Sequence, residues 1–270
     1  MIMTPSLPSL LPPRSLAPGV SAFFTTRQGG VSGPPWGLAE GAKGGLNLGD
    51  HVGDDPQAVR ANRQRLAEVL SSAPLWLRQV HGVEVFEAGA SFPVEAPIAD
   101  AAFTREAGQV LAVLTADCLP VLVADSQGRA VAVIHAGWRG LAAGVLEATF
   151  KRLHERLPEA TWVAWLGPAI GIDAYEVGAE VRSAMLDSAP PLADPGAVEH
   201  AFRPGRAIGK WHFDLAHWAR LHLQAMGVVV LPQDSWCTAA DPARFWSYRR
   251  DGVCGRIAGC IWIQPSLERI

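Results

Sequence analysis

Cysteine is scarce: four residues in a chain of 270, at 118, 237, 254 and 260, with no CxxC pair. That excludes a disulfide scaffold, and so few scattered thiols in a chain this long read as reduced and cytoplasmic. Neither sign of charge is in excess: 23 Lys and Arg stand against 26 Asp and Glu, a net charge of −3. Neither nucleic acid nor an acidic membrane surface is therefore expected as a partner. No apolar run approaches the length that spans a bilayer. The opening "MIMTPSLPSLLPPRSLAPGV" scatters prolines and holds its only charge at Arg14. It lacks the charged start and unbroken apolar segment of a signal peptide. Internal repeats and low-complexity linkers are also missing.

What is present suits a globular core. The chain is 49% hydrophobic, enough to fill one large domain. We read 1–270 as a single domain, with 1–19 as an irregular extension. "VSAFFTTR" (20–27) predicts a strand and "QGGVSG" a turn, and the glycine-rich "GLAEGAKGGLNLGDHVGDD" predicts a long loop. Asp55 is placed to cap a helix over about 56–71 that opens with Pro56 and has an apolar face of Leu66, Val69 and Leu70. Strands are expected at 75–80, 83–88, 101–105 and 110–116, and 119–125 meets 129–136 across "SQG", a hairpin signal. The last of these runs are apolar throughout, the pattern of strands buried on both faces. Helices are expected over about 140–156, 173–187 and 214–226, a loop over 189–212, and further strands in "TWVAWLGP", "VVVL", "FWSYRR" and "RIAGCIWIQ". Hairpins and β–α–β order together predict an α/β or α+β fold, a mixed β-sheet covered by helices.

Three side chains able to bind a borderline metal fall at predicted strand ends: His81 in "VHGVEV", Cys118 after "VLAVLTAD" and His135 opening "HAGWRG". Two His and one Cys suit Zn²⁺ and leave a coordination position open. The intervals between them form no compact ligand motif. Each residue also has a plainer role, a hydrogen-bonded histidine or a packed thiol. Asp117 either orients a ligand or caps backbone N–H groups. Gly137 and Arg139 in "HAGWRG" either face an anion or form an ordinary turn. Arg27 either clamps a phosphate or carboxylate or belongs to a hairpin. "SYRRDG" (247–252) reads equally as a solvated hairpin tip. His51, close to "NLGD", is placed to border a site formed by the three.

Eight segments in order, "FTTRQGGVS", "LNLGDHVGDD", "RQVHGVEV", "ADAAFT", "LTADCLPVLVAD", "VAVIHAGWRG", "WLGPAIG" and "FWSYRRDGVCGRIAGCIWI", resemble the YfiH-type proteins. These are also called laccase-domain or polyphenol-oxidase-like proteins. The resemblance covers about residues 20–264. It implies a layered α/β fold shared with the cysteine-hydrolase-like domain of a bacterial toxin. It also implies zinc held by His81, Cys118 and His135. The implied chemistry is phosphorolysis of adenosine, inosine, guanosine and methylthioadenosine, with deamination of adenosine. Purine nucleosides and phosphate would then be the partners.

In that setting Cys118, Asp117 and Arg27 are the expected catalytic residues, with Asp117 a candidate to protonate the leaving base. Arg27, Gly137 and Arg139 are expected at the phosphate, and Asn47 at ribose or phosphate. Two departures stand out: the added stretch "GPPWGLAEGAKGG", and Cys254 where the family pattern suggests Thr. Copper is the alternative metal, in a polyphenol oxidase, because affinity alone favours Cu²⁺ over Zn²⁺. Eight histidines with no HxH pair argue against a multicopper enzyme. A cysteine hydrolase or peptidoglycan-precursor editing factor, with Cys118 as nucleophile and a histidine as base, is a further alternative, and a non-catalytic zinc-stabilised protein is another.

Overall fold

The all-apolar runs in the middle of the chain are its innermost strands. A computed structural model describes residues 10–11, 15–191, 194–232 and 234–265. Its first half runs β1 (Val20–Phe24), β2 (Gln28–Ser32), α1 (Pro56–Ala67), β3 (Val85–Ala88), β4 (Ala101–Thr104), β5 (Leu111–Thr115), β6 (Leu119–Asp125) and β7 (Val131–Ala136). There follow α2 (Trp138–Ala143), α3 (Val145–Arg156), β8 (Trp162–Leu166), β9 (Glu176–Gly178), α4 (Ala179–Asp187) and α5 (Pro195–His200). Last come β10 (Phe202–Pro204), β11 (Lys210–Phe213), α6 (Leu215–Ala225), β12 (Val229–Val230), α7 (Tyr248–Asp251) and β13 (Ile257–Ile263).

The largest sheet has the order β12-β8-β6-β7-β4-β3, antiparallel in its centre and parallel at both edge pairs. A second sheet, β1-β13-β5, is antiparallel, and a small one joins β10, β11 and β9. Alternation along β6 explains its unbroken apolar sequence. Val121 and Val123 face a core shared with Leu146 and Phe150 of α3 and Trp218 of α6. Leu122 and Ala124 face a core shared with Phe24, Val113 and Ile261 of the second sheet. The outer face of that sheet carries Phe23, Ala112 and Trp262 against Leu66 of α1. The fold is thus layered, and β6 and β7 are covered on both sides. Each large apolar side chain fully buried this way contributes about 1.5–3 kcal/mol.

The ends of the predicted elements moved for identifiable reasons. Asp55 does cap α1, accepting from Gln57 N–H, and Asp214 caps α6 through His217 N–H. The expected helix over 140–156 is two helices, because Gly144 takes φ 91 and breaks it. The segment 75–80 forms only the isolated bridges Leu75–Leu111 and Arg78–Ile98. There the Gln79 side chain replaces a ladder, accepting from Leu114 N–H (2.8 Å) and donating to Leu114 C=O (2.9 Å). "QGGVSG" holds strand β2 rather than a turn alone. The expected loop 189–212 holds α5, capped by Asp194, and strands β10 and β11. "FWSYRR" is not a strand but leads into the single turn of α7, capped by Ser247. Of the expected N-terminal extension, residues 1–9 and 12–14 lie outside the described residues, while Leu11, Leu16 and Ala17 are buried in the core between the sheets.

Candidate active site

The corner between β5 and β6, the end of β7 and the turn before β3 converge at one point. Cys118 directly precedes β6, and His135 is the penultimate residue of β7. His81 sits in the turn with φ 60. Their ligand atoms all lie within 4.8 Å of one another. Cys118 Sγ is 3.7 Å from His81 Nε2, and the two imidazole centroids are 4.8 Å apart.

A buried carboxylate builds this cluster. Asp100 accepts from the backbone N–H groups of Val80 (3.1 Å), His81 (2.9 Å) and Gly82 (2.7 Å), which fixes the left-handed turn. Its Oδ1 also lies 2.8 Å from His135 Nδ1. Burial pushes the Asp100 carboxyl up, but the hydrogen bonds from His135 and from the turn outweigh it and hold it below the usual range. Burial likewise raises the Cys118 thiol. The His135 charge and hydrogen bonds from His135 and His81 outweigh that and bring it well below its ordinary value. Burial disfavours the His135 imidazolium, yet the Cys118 thiolate and Asp100 hold it above its ordinary value. The two shifts draw the Cys118 proton toward His135, and Asp100 orients the ring.

The donor set fits a metal. One thiolate and two imidazoles are borderline-soft ligands of the kind Zn²⁺ takes with a position left open, and a carboxylate on the remote ring nitrogen is the usual partner of a metal-bound histidine. Room has also been made for it. A Cβ at Gly137 would lie 2.9 Å from His81 Cδ2 and 3.0 Å from Cys118 Sγ, so only glycine leaves the ligands where they are.

The cluster forms one wall of a cleft of about 520 Å³, lined also by His51, Asp117, Trp138, Arg139, Tyr175, Tyr248, Arg249 and Arg256. That size lies within the range of small-molecule sites. Arg139 lies over the Trp138 ring, 4.6 Å from its centroid, and has no hydrogen bond or carboxylate partner among the described residues. The Arg249 guanidinium lies 5.1 Å from the Tyr175 centroid and donates to Glu176 C=O. Tyr175 is held protonated, chiefly by burial and then by the charge on Cys118.

Arg27 and Asn47, expected at phosphate and ribose, are not brought to the cleft. Arg27 is 5% exposed. Its guanidinium donates to Gly37 C=O and Pro242 C=O and lies 5.2 Å from the Trp246 centroid. It anchors the glycine-rich loop instead of facing a ligand. Asn47 is fully buried, and its amide is saturated by Gly49 N–H and C=O, Asp54 Oδ2 and Arg256 N–H. Cys254 is a core residue 1% exposed, not a ligand. Asp100 was missed as a site residue, although "ADAAFT" contains it. His51, in contrast, does line the cleft.

Fold and site together define a layered α/β protein with a His–Cys–His centre in the wall of a cleft of small-molecule size. The family described as multi-copper polyphenol oxidoreductase laccase matches residues 21–264, and the chain belongs to it. It is 46% identical over 245 residues to a purine nucleoside phosphorylase of Pseudomonas aeruginosa, covering 91% of this chain and 94% of that protein. It is 43% identical to the purine nucleoside phosphorylase YfiH of Escherichia coli, covering 91% of this chain and 94% of that one. Among solved structures it resembles a Neisseria meningitidis protein with a TM-score of 0.83 at 41% identity, covering 95% of this chain and all of that one. It also resembles YlmD of Geobacillus stearothermophilus, with a TM-score of 0.80 at 31% identity, covering 92% and 93%.

Proposed function

We propose that the protein is a zinc-dependent purine nucleoside phosphorylase that also deaminates adenosine. The reading rests on one observation: the His81–Cys118–His135 cluster and Arg139, which has no hydrogen-bond or carboxylate partner among the described residues, share a cleft large enough for a nucleoside and phosphate. The names of its relatives support that substrate class. In phosphorolysis the C1′–N9 bond breaks, its electron pair leaves with the purine, and a phosphate oxygen bonds C1′. The purine takes up one proton, giving free base and ribose 1-phosphate. Positive charge builds on the sugar in the transition state, so an anion fixed beside it lowers the barrier. Arg139 is the guanidinium free to hold that phosphate, and its planar fork matches two phosphate oxygens. His81, Cys118 and His135 would hold the metal, which supplies Lewis-acid polarisation and a more acidic bound water. In deamination, water adds at C6 of adenosine and ammonia departs, giving inosine. Asp100 keeps His135 Nδ1 occupied, so the other ring nitrogen is the one left for ligand duty.

A second reading follows from the Cys118–His135–Asp100 alignment, which is also that of a cysteine hydrolase. The deciding experiment is chromatography of base released from a panel of purine nucleosides, with and without phosphate, on protein of measured metal content. Phosphate-dependent release of base with matching ribose 1-phosphate is expected. Release of no base from any purine nucleoside would overturn the reading.

A further inference from the structure

Asp117 lines the cleft, yet both oxygens of its carboxylate are engaged by protein donors. Its Oδ1 accepts from Thr238 Oγ1 at 2.6 Å, and its Oδ2 accepts from Ser247 Oγ at 3.0 Å and from Arg249 N–H at 2.7 Å. Thr238 and Ser247 are fully buried. The backbone takes part as well: Asp117 C=O accepts from Ile170 N–H, and Thr238 N–H donates to Ala169 C=O. Four stretches distant in sequence thus meet at one residue: the β5–β6 corner, the segment after β8, the loop at 238, and the start of α7. Ser247 extends the knot, because its hydroxyl also accepts from Arg250 N–H as the cap of α7. Arg250 ties the same turn to Thr238 C=O and Ala239 C=O. The two residues between these anchors, Tyr248 and Arg249, line the cleft. Asp117 itself takes φ 87, a conformation costly for most side chains but tolerated by Asp and Asn, and Cys118 follows it directly.

We propose that Asp117 is a positioning residue that fixes the Tyr248–Arg249 wall of the cleft to the corner that carries Cys118, and that it is not the acid that protonates the leaving base. The proposal rests on the nucleoside reading for its kinetic arm only. An acid must present its proton to substrate, whereas here three protein donors already occupy both oxygens. Asparagine reproduces the knot. Its oxygen accepts from Ser247 and Arg249, and its NH₂ donates to the Thr238 hydroxyl, which is able to accept as well as donate. Alanine removes every side-chain contact.

The test compares D117N, D117A and D117G, with T238V and S247A as milder perturbations. Amide hydrogen exchange over residues 247–251 reads the knot without reference to activity. It should stay near wild type in D117N and accelerate in D117A, D117G, T238V and S247A. Glycine relieves the φ strain, so fast exchange in D117G assigns the effect to the lost hydrogen bonds. In nucleoside phosphorolysis D117A should lose about 10–100-fold in kcat/KM, the scale of a misplaced substrate contact. D117N should recover to within about threefold, because its amide makes the same contacts, and its pH–rate profile should keep the wild-type limbs. If D117N is as inactive as D117A and loses one limb of the profile, Asp117 is the acid and the proposal fails. It fails equally if D117A or D117G leaves exchange at 247–251 unchanged. If no variant and no wild-type sample turns over a nucleoside while exchange behaves as expected, the functional reading has failed and the positioning role stands.

Discussion

Gly137→Ala isolates the metal centre from the fold that carries it. The new methyl would sit 2.9 Å from His81 Cδ2 and 3.0 Å from Cys118 Sγ. Ordinary carbon contacts lie at roughly 3.5–4.0 Å, so each ligand must retreat by about 0.5–1 Å. Metal sites hold their distances to within about 0.2 Å. The displacement is several times that tolerance. A loss of about 10–100-fold in zinc affinity is expected, the range for disturbed ligand support, equivalent to about 1.4–2.7 kcal/mol. The metal-free fold should hardly notice. Gly137 has φ −75 and ψ 161, a region open to alanine. Gly→Ala at a compatible backbone gains about 0.4–1 kcal/mol from the unfolded chain, and the poorer helix cap offsets a few tenths of that or more. The assay is zinc titration against a chromophoric chelator, beside thermal denaturation of metal-free protein. Wild-type zinc affinity in the variant would refute the geometry. A large fall in metal-free stability would show that the methyl collides with the fold rather than with the ligands.

Three further substitutions separate the remaining roles. Cys118→Ser keeps the volume but offers a hydroxyl that stays protonated at neutral pH, so zinc content and phosphorolysis should fall together with little change in melting; zinc retained while activity vanishes would instead mark Cys118 as a nucleophile. Asp100→Asn turns an NH₂ toward donors that need an acceptor, and should weaken zinc by about 10–100-fold and the fold by about 1–3 kcal/mol; unchanged zinc affinity would remove Asp100 from the centre. Arg27→Ala deprives Gly37 and Pro242 of their donor and should cost about 2–4 kcal/mol, a fall of roughly 4–10 °C in melting temperature; an unchanged melt with selective loss of phosphate dependence would return Arg27 to the anion.

Local signals were legible where a local interaction decides the outcome. Asp55–Pro56 marked the start of α1, and the same pair at Asp194–Pro195 marks α5, a cap left unread inside a segment otherwise rich in loop residues. The apolar runs of β5, β6 and β7 were readable because burial on both faces leaves no polar phase. Gln79 could not be read that way: its partner Leu114 lies 35 residues on, and nothing local distinguishes a side-chain amide that imitates a strand. The site divides along the same line. His81, Cys118 and His135 carry metal-binding chemistry in their identity, so they could be singled out before their proximity was known. Asp100 and Arg27 carry no such mark. Their roles depend on partners up to 35 and 215 residues away, and a buried Arg that anchors a loop has the same letter as one that clamps a phosphate.

The family's description and the names of its relatives point to different chemistry, and the histidines weigh between them. Reducing oxygen by four electrons at several coppers needs several clusters of imidazoles. Of the eight histidines, two belong to the His81–Cys118–His135 group, the only group of three or more metal-binding side chains among the described residues. His212 and His217 are engaged with the carbonyls of Ile172 and Ala197, and His222 with Glu147. His154 and His200 occupy exposed positions of α3 and α5. His51 reaches the cleft, but it pairs with Asp50 and is held below its ordinary pKa by burial and by Arg256. One three-ligand centre, backed by a single carboxylate and facing a cleft that also holds the Arg139 guanidinium, suits polarising a bond and holding an anion. Among the described residues there is no second cluster to which electrons could pass. The donor inventory therefore favours group transfer over oxidation.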